Sequence, residues 1–119
     1  MNREQLDRLL LDWPGTASDV KWQDDLVYTV GGKMFAVHAL RGTRAGSLSF
    51  KVDPARFLEL TDRDGIEPAP YLARAHWVWL PDPSVLPPDE LRALLRVAYE
   101  QVAAKLTKKL RRELGLDGA

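Results

Sequence analysis

Two consecutive glycines, Gly31 and Gly32, separate two runs rich in β-branched and aromatic residues, 26–30 and 33–40. Glycine tolerates the positive φ angles that a two-residue primed turn requires, and that turn matches the twist of paired strands. The pair therefore predicts an antiparallel β-hairpin. With alternation on either side of the turn, Leu26, Tyr28 and Val30 share a face with Phe35 and Val37. Thr29, Met34 and His38 share the other, so His38 is expected on the sheet surface.

A loop holding Arg41 and Arg44 leads to a third strand over 47–52. There Leu48, Phe50 and Val52 alternate with Ser47, Ser49 and Lys51, giving one buried and one wet face. Asp53-Pro54 predicts a short helix, with aspartate as the cap and proline at the first helical position. Phe57, Leu58 and Leu60 supply its apolar contacts. Gly65, Pro68 and Pro70 make 61–75 irregular. Residues 77–80 read as a compact strand, with Trp77 and Trp79 pointing the same way. The four prolines of 81–88 make a rigid connection.

Helices bracket these strands. Leu6, Leu9, Leu10 and Trp13 recur at helical spacing over 2–13, Asn2 and Gln5 fit a capping box, and Pro14-Gly15 ends the element. Leu91, Leu95, Ala98, Val102, Leu106 and Leu110 form one stripe, which predicts a single long helix from about 88 to 114. The order is α-β-β-β-α-β-α, with one more short strand possible around 21–23. The expected fold class is α+β, a two-layer sandwich: an antiparallel β-sheet covered on one face by N- and C-terminal helices.

At 119 residues the chain is expected to be one domain, 1–119. It has no cysteine, which excludes disulfides, thiolate zinc sites and a cysteine nucleophile. Its first residues are too polar for a signal peptide, and no apolar run approaches the ~20 residues of a membrane helix. A cytoplasmic protein is expected. Seventeen basic and 17 acidic residues give zero net charge, which argues against nucleic-acid binding driven by whole-protein charge.

No catalytic constellation is readable. His38 and His76 are the only histidines, and neither has a ligand-type residue three or four positions on, so no metal site is expected. None of Ser18, Ser47, Ser49 and Ser84 sits in a Gly-x-Ser-x-Gly elbow. Gly31-Gly32-Lys33 lacks the spacing of a phosphate loop. Lys105, Lys108, Lys109 and Arg112 share one face of the expected helix. They read either as phosphate contacts or as a solvated helix end favoured by the dipole. In 71–77, bases could stack on Tyr71 or Trp77 while Arg74 holds phosphate. Alternatively the two rings lock the loop onto the core, with Arg74 stacked over one of them.

Several stretches, taken in order, resemble the MmcQ/YjbR family. They are Trp13-Pro14-Gly15, Val30-Gly31-Gly32-Lys33-Met34-Phe35-Ala36, Lys51-Val52-Asp53-Pro54 and Pro68-Ala69-Pro70-Tyr71-Leu72. Arg74-Ala75-His76-Trp77 follows, then Ala98-Tyr99-Glu100-Gln101-Val102-Ala103-Ala104-Lys105-Leu106. The likeness runs from about residue 10 to residue 112. Arg74 and Ala98 stand where the family usually has Lys and Ser. The resemblance implies a fold like that of the CyaY/frataxin group and the "double wing" DNA-binding type, with no catalytic residues to carry over. Frataxins use a dense acidic ridge, whereas the first helix here mixes Glu4, Asp7 and Asp12 with Arg3 and Arg8.

The resulting expectation is a non-enzymatic, monomeric binding module with DNA as its candidate partner and no cofactor or metal. Its candidate nucleic-acid contacts are Lys33, Arg41, Arg44, Lys51, Arg74, His76, Lys105, Lys108 and Lys109. The alternative is a protein-interaction or small-ligand domain without nucleic-acid affinity, suggested by the four tryptophans and the proline-rich rim.

Overall fold

A computed structural model describes residues 1–116. Six strands form one sheet: β1 Thr16–Lys21, β2 Asp25–Val30, β3 Lys33–Ala39, β4 Leu48–Lys51, β5 Glu67–Pro68 and β6 Trp77–Leu80. Their order is β1-β2-β3-β4-β6-β5, and every pairing is antiparallel. The helices are α1 Arg3–Leu10, α2 Phe57–Thr61, α3 Pro88–Ala103 and α4 Lys108–Glu113.

The Gly31-Gly32 turn joins β2 to β3 as expected, with φ of 58° and 83°. The Asn2–Gln5 capping box is present in full. Helix α3 packs on β2, β3 and β4. Leu6 and Leu10 of α1, Leu60 of α2 and Leu91 and Leu95 of α3 join Tyr28, Phe35 and Phe50 in one core. The expected two-layer α+β arrangement is therefore what forms. On this side Tyr28 donates a 2.7 Å hydrogen bond to Asp7, tying α1 to the sheet. The Tyr99 hydroxyl donates to the Pro14 carbonyl at 2.5 Å.

Four expectations are corrected. The first concerns the face of β3. A bulge between Tyr28 and Thr29 sets Tyr28 opposite Ala36 and Thr29 opposite Met34, skipping Phe35. Phe35 and Ala36 both enter the core. One extra residue reverses the side-chain parity of everything beyond it. Val37 therefore faces away from the helices. His38 turns toward them, only 5% exposed, with Nδ1 3.0 Å from the Ser47 carbonyl.

Second, residues 88–114 are not one helix. The chain unwinds after Ala103, and the Thr107 hydroxyl caps α4 by accepting from the Leu110 N–H at 3.1 Å. A straight helix would carry Leu110 and Leu114 past the sheet. The break folds them back over Gly15 and Gly31, which are themselves joined by a 3.2 Å backbone hydrogen bond. The apolar stripe persists because both segments bury it. Lys105 lies in the break, so it does not share a helical face with Lys108 and Lys109.

Third, the additional strand near 21–23 is β1, longer than a stub and earlier in the chain, and 61–75 is not wholly irregular, because β5 within it pairs with β6. Five of the six residues of β1 are exposed, so β1 carries no alternation to betray it. Fourth, Tyr71 does not lock its loop onto the core; it is 100% exposed.

Candidate functional site

The face of the sheet opposite the helices is built by register. Val27, Val37, Ser49 and Trp79 lie in one row across β2, β3, β4 and β6. Asp25 and Ala39 flank that row on one side, and Thr29 and Met34 on the other, where Lys51 stands opposite Trp77. Val27, Ala39 and Trp77 are buried although they stand outside the helix-side core. Asp19 on β1 and Glu67 on β5 extend the middle row at its ends. This face is thus apolar and aromatic at its centre, with charge of both signs around it.

Residues 69–76 fold across part of it. Several backbone hydrogen bonds hold this loop: Ala69 N–H to Trp77 O (3.0 Å), Leu72 N–H to Ala69 O (3.2 Å) and His76 N–H to Ala73 O (2.9 Å). The Lys51 ammonium adds a 2.8 Å bond to the Ala75 carbonyl. Tyr71 projects from this braced loop at φ 67°. Across the face, Trp22 projects from the β1–β2 turn at φ 53° and is 67% exposed. Positive φ in bulky residues costs energy and is tolerated where the surroundings enforce it.

Trp22, Tyr71, Trp79, Met34 and Leu72 line a concavity of about 520 Å³, with Asp25 and Arg44 at its polar edge. The Arg44 guanidinium lies 5.3 Å from the centre of the Trp79 ring. A second, shallower concavity of about 390 Å³ lies beside it, lined by Lys33, Lys51 and Lys105 around Trp77. Among the described residues no acidic side chain lines it. Met34 and Leu72 line both, so the two hollows share a wall. Partial burial, and then the neighbouring Lys105 charge, hold the Lys51 ammonium below its ordinary pKa. The repulsion between Lys51 and Lys105 is the part that an anion between them would relieve.

Of the nine candidate contacts, Lys33, Lys51 and Lys105 are gathered in one hollow and Arg44 borders the other. Arg41 and Arg74 are exposed but line neither, and the same is true of Lys108 and Lys109 on α4. His76 is half-buried, its ring edge-on to Phe57 with centroids 5.5 Å apart. It caps the 73–75 turn at φ 62°, a structural role. Trp22 was not foreseen as a site residue. An exposed tryptophan in a polar stretch beside Asp24-Asp25 was the available signal. Ala98 is fully buried in the helix-side core, so the family's usual serine there would meet no surface ligand.

Among the described residues no group of three or more His, Cys, Asp or Glu is placed to hold a metal ion. No helix among them is long and apolar enough to cross a membrane.

Comparison with known proteins agrees with this architecture. A Deinococcus radiodurans protein, DR2400, carrying the family-model domain DUF419, is similar in structure with a TM-score of 0.84. It is 32% identical, over 95% of this chain and 87% of that one. A Pseudomonas syringae protein shares the fold at 22% identity and a TM-score of 0.66, over 86% of this chain and 99% of its own. Among curated proteins none matches. The sequence model of the YjbR family matches residues 11–101. With most of its length matched and its sheet, helices and glycine turn in place, the chain belongs to the YjbR family.

Proposed function

We propose that this protein is a non-enzymatic binding module for nucleic acid, and that it takes single strands in preference to duplex. The observation that carries the proposal is the shared wall of Met34 and Leu72. It joins a hollow rimmed by three aromatic rings to a hollow lined by three lysines. Unpaired bases stack on aromatic faces while ammonium groups follow the phosphates, and every base offers such a face. In a duplex the same ring faces are already stacked and unavailable.

The exposed rings stand on a hairpin turn and a braced loop, so little ordering is required when a strand arrives. Zero net charge fits a few local phosphate contacts better than broad attraction. Edge strand β1 carries Asp19 and Lys21, and β5 is two residues long with Pro68. Both features discourage edge-to-edge pairing, which supports action as a monomer.

The test is fluorescence anisotropy of a labelled dT12 strand and of a mixed duplex at low salt. Single-strand binding tighter than about 10⁻⁴ M is expected, with a log–log salt slope near −2 for phosphate contacts from Lys33, Lys105 and Arg44. Replacing Trp22 and Tyr71 together by alanine should weaken it at least tenfold. Equal affinity for duplex and single strand, or no effect of the paired substitution, would overturn the reading. The aromatic hollow taken alone favours a second reading, capture of a small planar ligand. In that case substituting Lys33 and Lys105 would leave binding unchanged.

A further inference from the structure

The aromatic hollow contains one feature that stacking alone does not need. Asp25 lines it, and its carboxylate has no hydrogen-bond or ion-pair partner among the described residues. Lys21 stands directly opposite in the ladder without coming within ion-pair distance. The three-lysine hollow lies toward the other end of the sheet. Along β2 the step from Asp25 to Thr29, whose neighbour Met34 forms the shared wall, is about 14 Å at ~3.4 Å per residue. The acid therefore sits at the ring end of the site, away from the three lysines, with Arg44 as the cation that shares its hollow.

Resting on the reading above, we propose that the aromatic hollow selects guanine, with Asp25 as the specificity-determining residue. An ionised carboxylate is acceptor-only and offers two oxygens side by side. Guanine alone among the bases presents two adjacent N–H donors, N1–H and N2–H, on its Watson–Crick edge, and these match a carboxylate in a bidentate, charge-assisted pair. Adenine and cytosine bring one amino group each, next to a ring nitrogen whose lone pair faces the carboxylate. Thymine and uracil bring one ring N–H flanked by two carbonyl oxygens, which the carboxylate repels. Single strands are read in this way, through the edges of bases stacked on aromatic side chains. Trp22 and Tyr71 supply the faces and Asp25 the edge.

The experiment uses the full chain and labelled hexamers: dT6, and dT6 with one central dG, dA or dC. The single guanine should raise affinity about tenfold over dT6, with adenine and cytosine falling in between. Asp25→Asn, which keeps the size and swaps one acceptor for a donor, should bring the guanine hexamer back to the dT6 value. Equal binding of all four hexamers by the unmodified protein would overturn guanine selection while leaving single-strand binding intact. A guanine advantage that survives Asp25→Asn would also overturn the role of Asp25. Absence of binding to any hexamer would sink both proposals together.

Discussion

The guanidinium of Arg44 lies 5.3 Å from the centre of the Trp79 ring, at the edge of the aromatic hollow. Cation–π contact at a surface is worth about 0.5–1 kcal/mol. It keeps a positive charge at the ring end of a site whose other cations cluster around Trp77.

Arg44→Ala should therefore weaken single-strand binding about fivefold and make the salt slope shallower by about 0.7, while stability changes by less than ~1 kcal/mol. Arg44→Lys should keep the salt slope but lose part of the affinity, because the ammonium lacks the planar stack. Anisotropy titrations at several salt concentrations and a urea melt measure both quantities. An unchanged salt slope in Arg44→Ala would remove Arg44 from the interface.

The three lysines should divide by role. Lys51 braces the 69–76 loop through its 2.8 Å bond to the Ala75 carbonyl. Lys51→Met should cost about 1 kcal/mol and reduce amide-exchange protection around residues 73–76. Lys33 and Lys105 are exposed. Their combined replacement by alanine should leave stability within ~0.5 kcal/mol but make the salt slope shallower by about 1.4.

The bulge in β3 gives neighbouring residues unequal weight. Phe35 is fully buried in the helix-side core, whereas Val37 is half-buried on the opposite face. Phe35→Ala should cost about 3–5 kcal/mol, and Val37→Ala about 1 kcal/mol or less. Chemical denaturation of both variants checks this. Comparable losses would mean that the strand alternates without a bulge.

His38 should make stability depend on pH. Burial first, and then the nearby N-terminal and Arg3 charges, hold its imidazole below the ordinary value of 6.5; the Ser47 carbonyl and Asp7 oppose this. The folded chain resists a proton that the unfolded chain accepts near pH 6.5. Stability is therefore full above that pH and declines as pH falls from about 6.5 toward the lower folded value. Urea midpoints at pH 7.5 and 5.0 should differ in the native protein and converge in His38→Gln. The window lies above that of the exposed carboxylates Glu59 and Asp82, which hydrogen bonds to Arg56 and Ser84 respectively hold below their ordinary values. A native profile flat between those two pH values would refute the buried neutral imidazole.

Elements governed by neighbours in sequence were legible. Asn2 caps α1, Gly31-Gly32 turns the hairpin, and Asp53 caps the turn at Pro54, each through contacts within three residues. The register of β3 was not legible, because its bulge arises from pairing with β2 and leaves no mark on the alternation of β3 itself. β1 was hidden because an exposed edge strand needs no apolar side chains. The break before α4 did have a local sign, Thr107, but the leucine stripe runs through it unbroken. The site was legible only in pieces. Lys33 and Lys51 could be proposed from strand and turn positions. Their meeting with Lys105, and that of Trp22 with Tyr71 and Trp79, depends on elements brought together only by the closed sheet.

The two most exposed rings of the molecule, Trp22 and Tyr71, stand on backbone that glycine would occupy at lower cost. Selection for heat tolerance alone would erase them first, and the sheet would survive the loss. Aromatic residues retained at both turns would thus separate descendants that keep the hollow in use from those that keep only the scaffold.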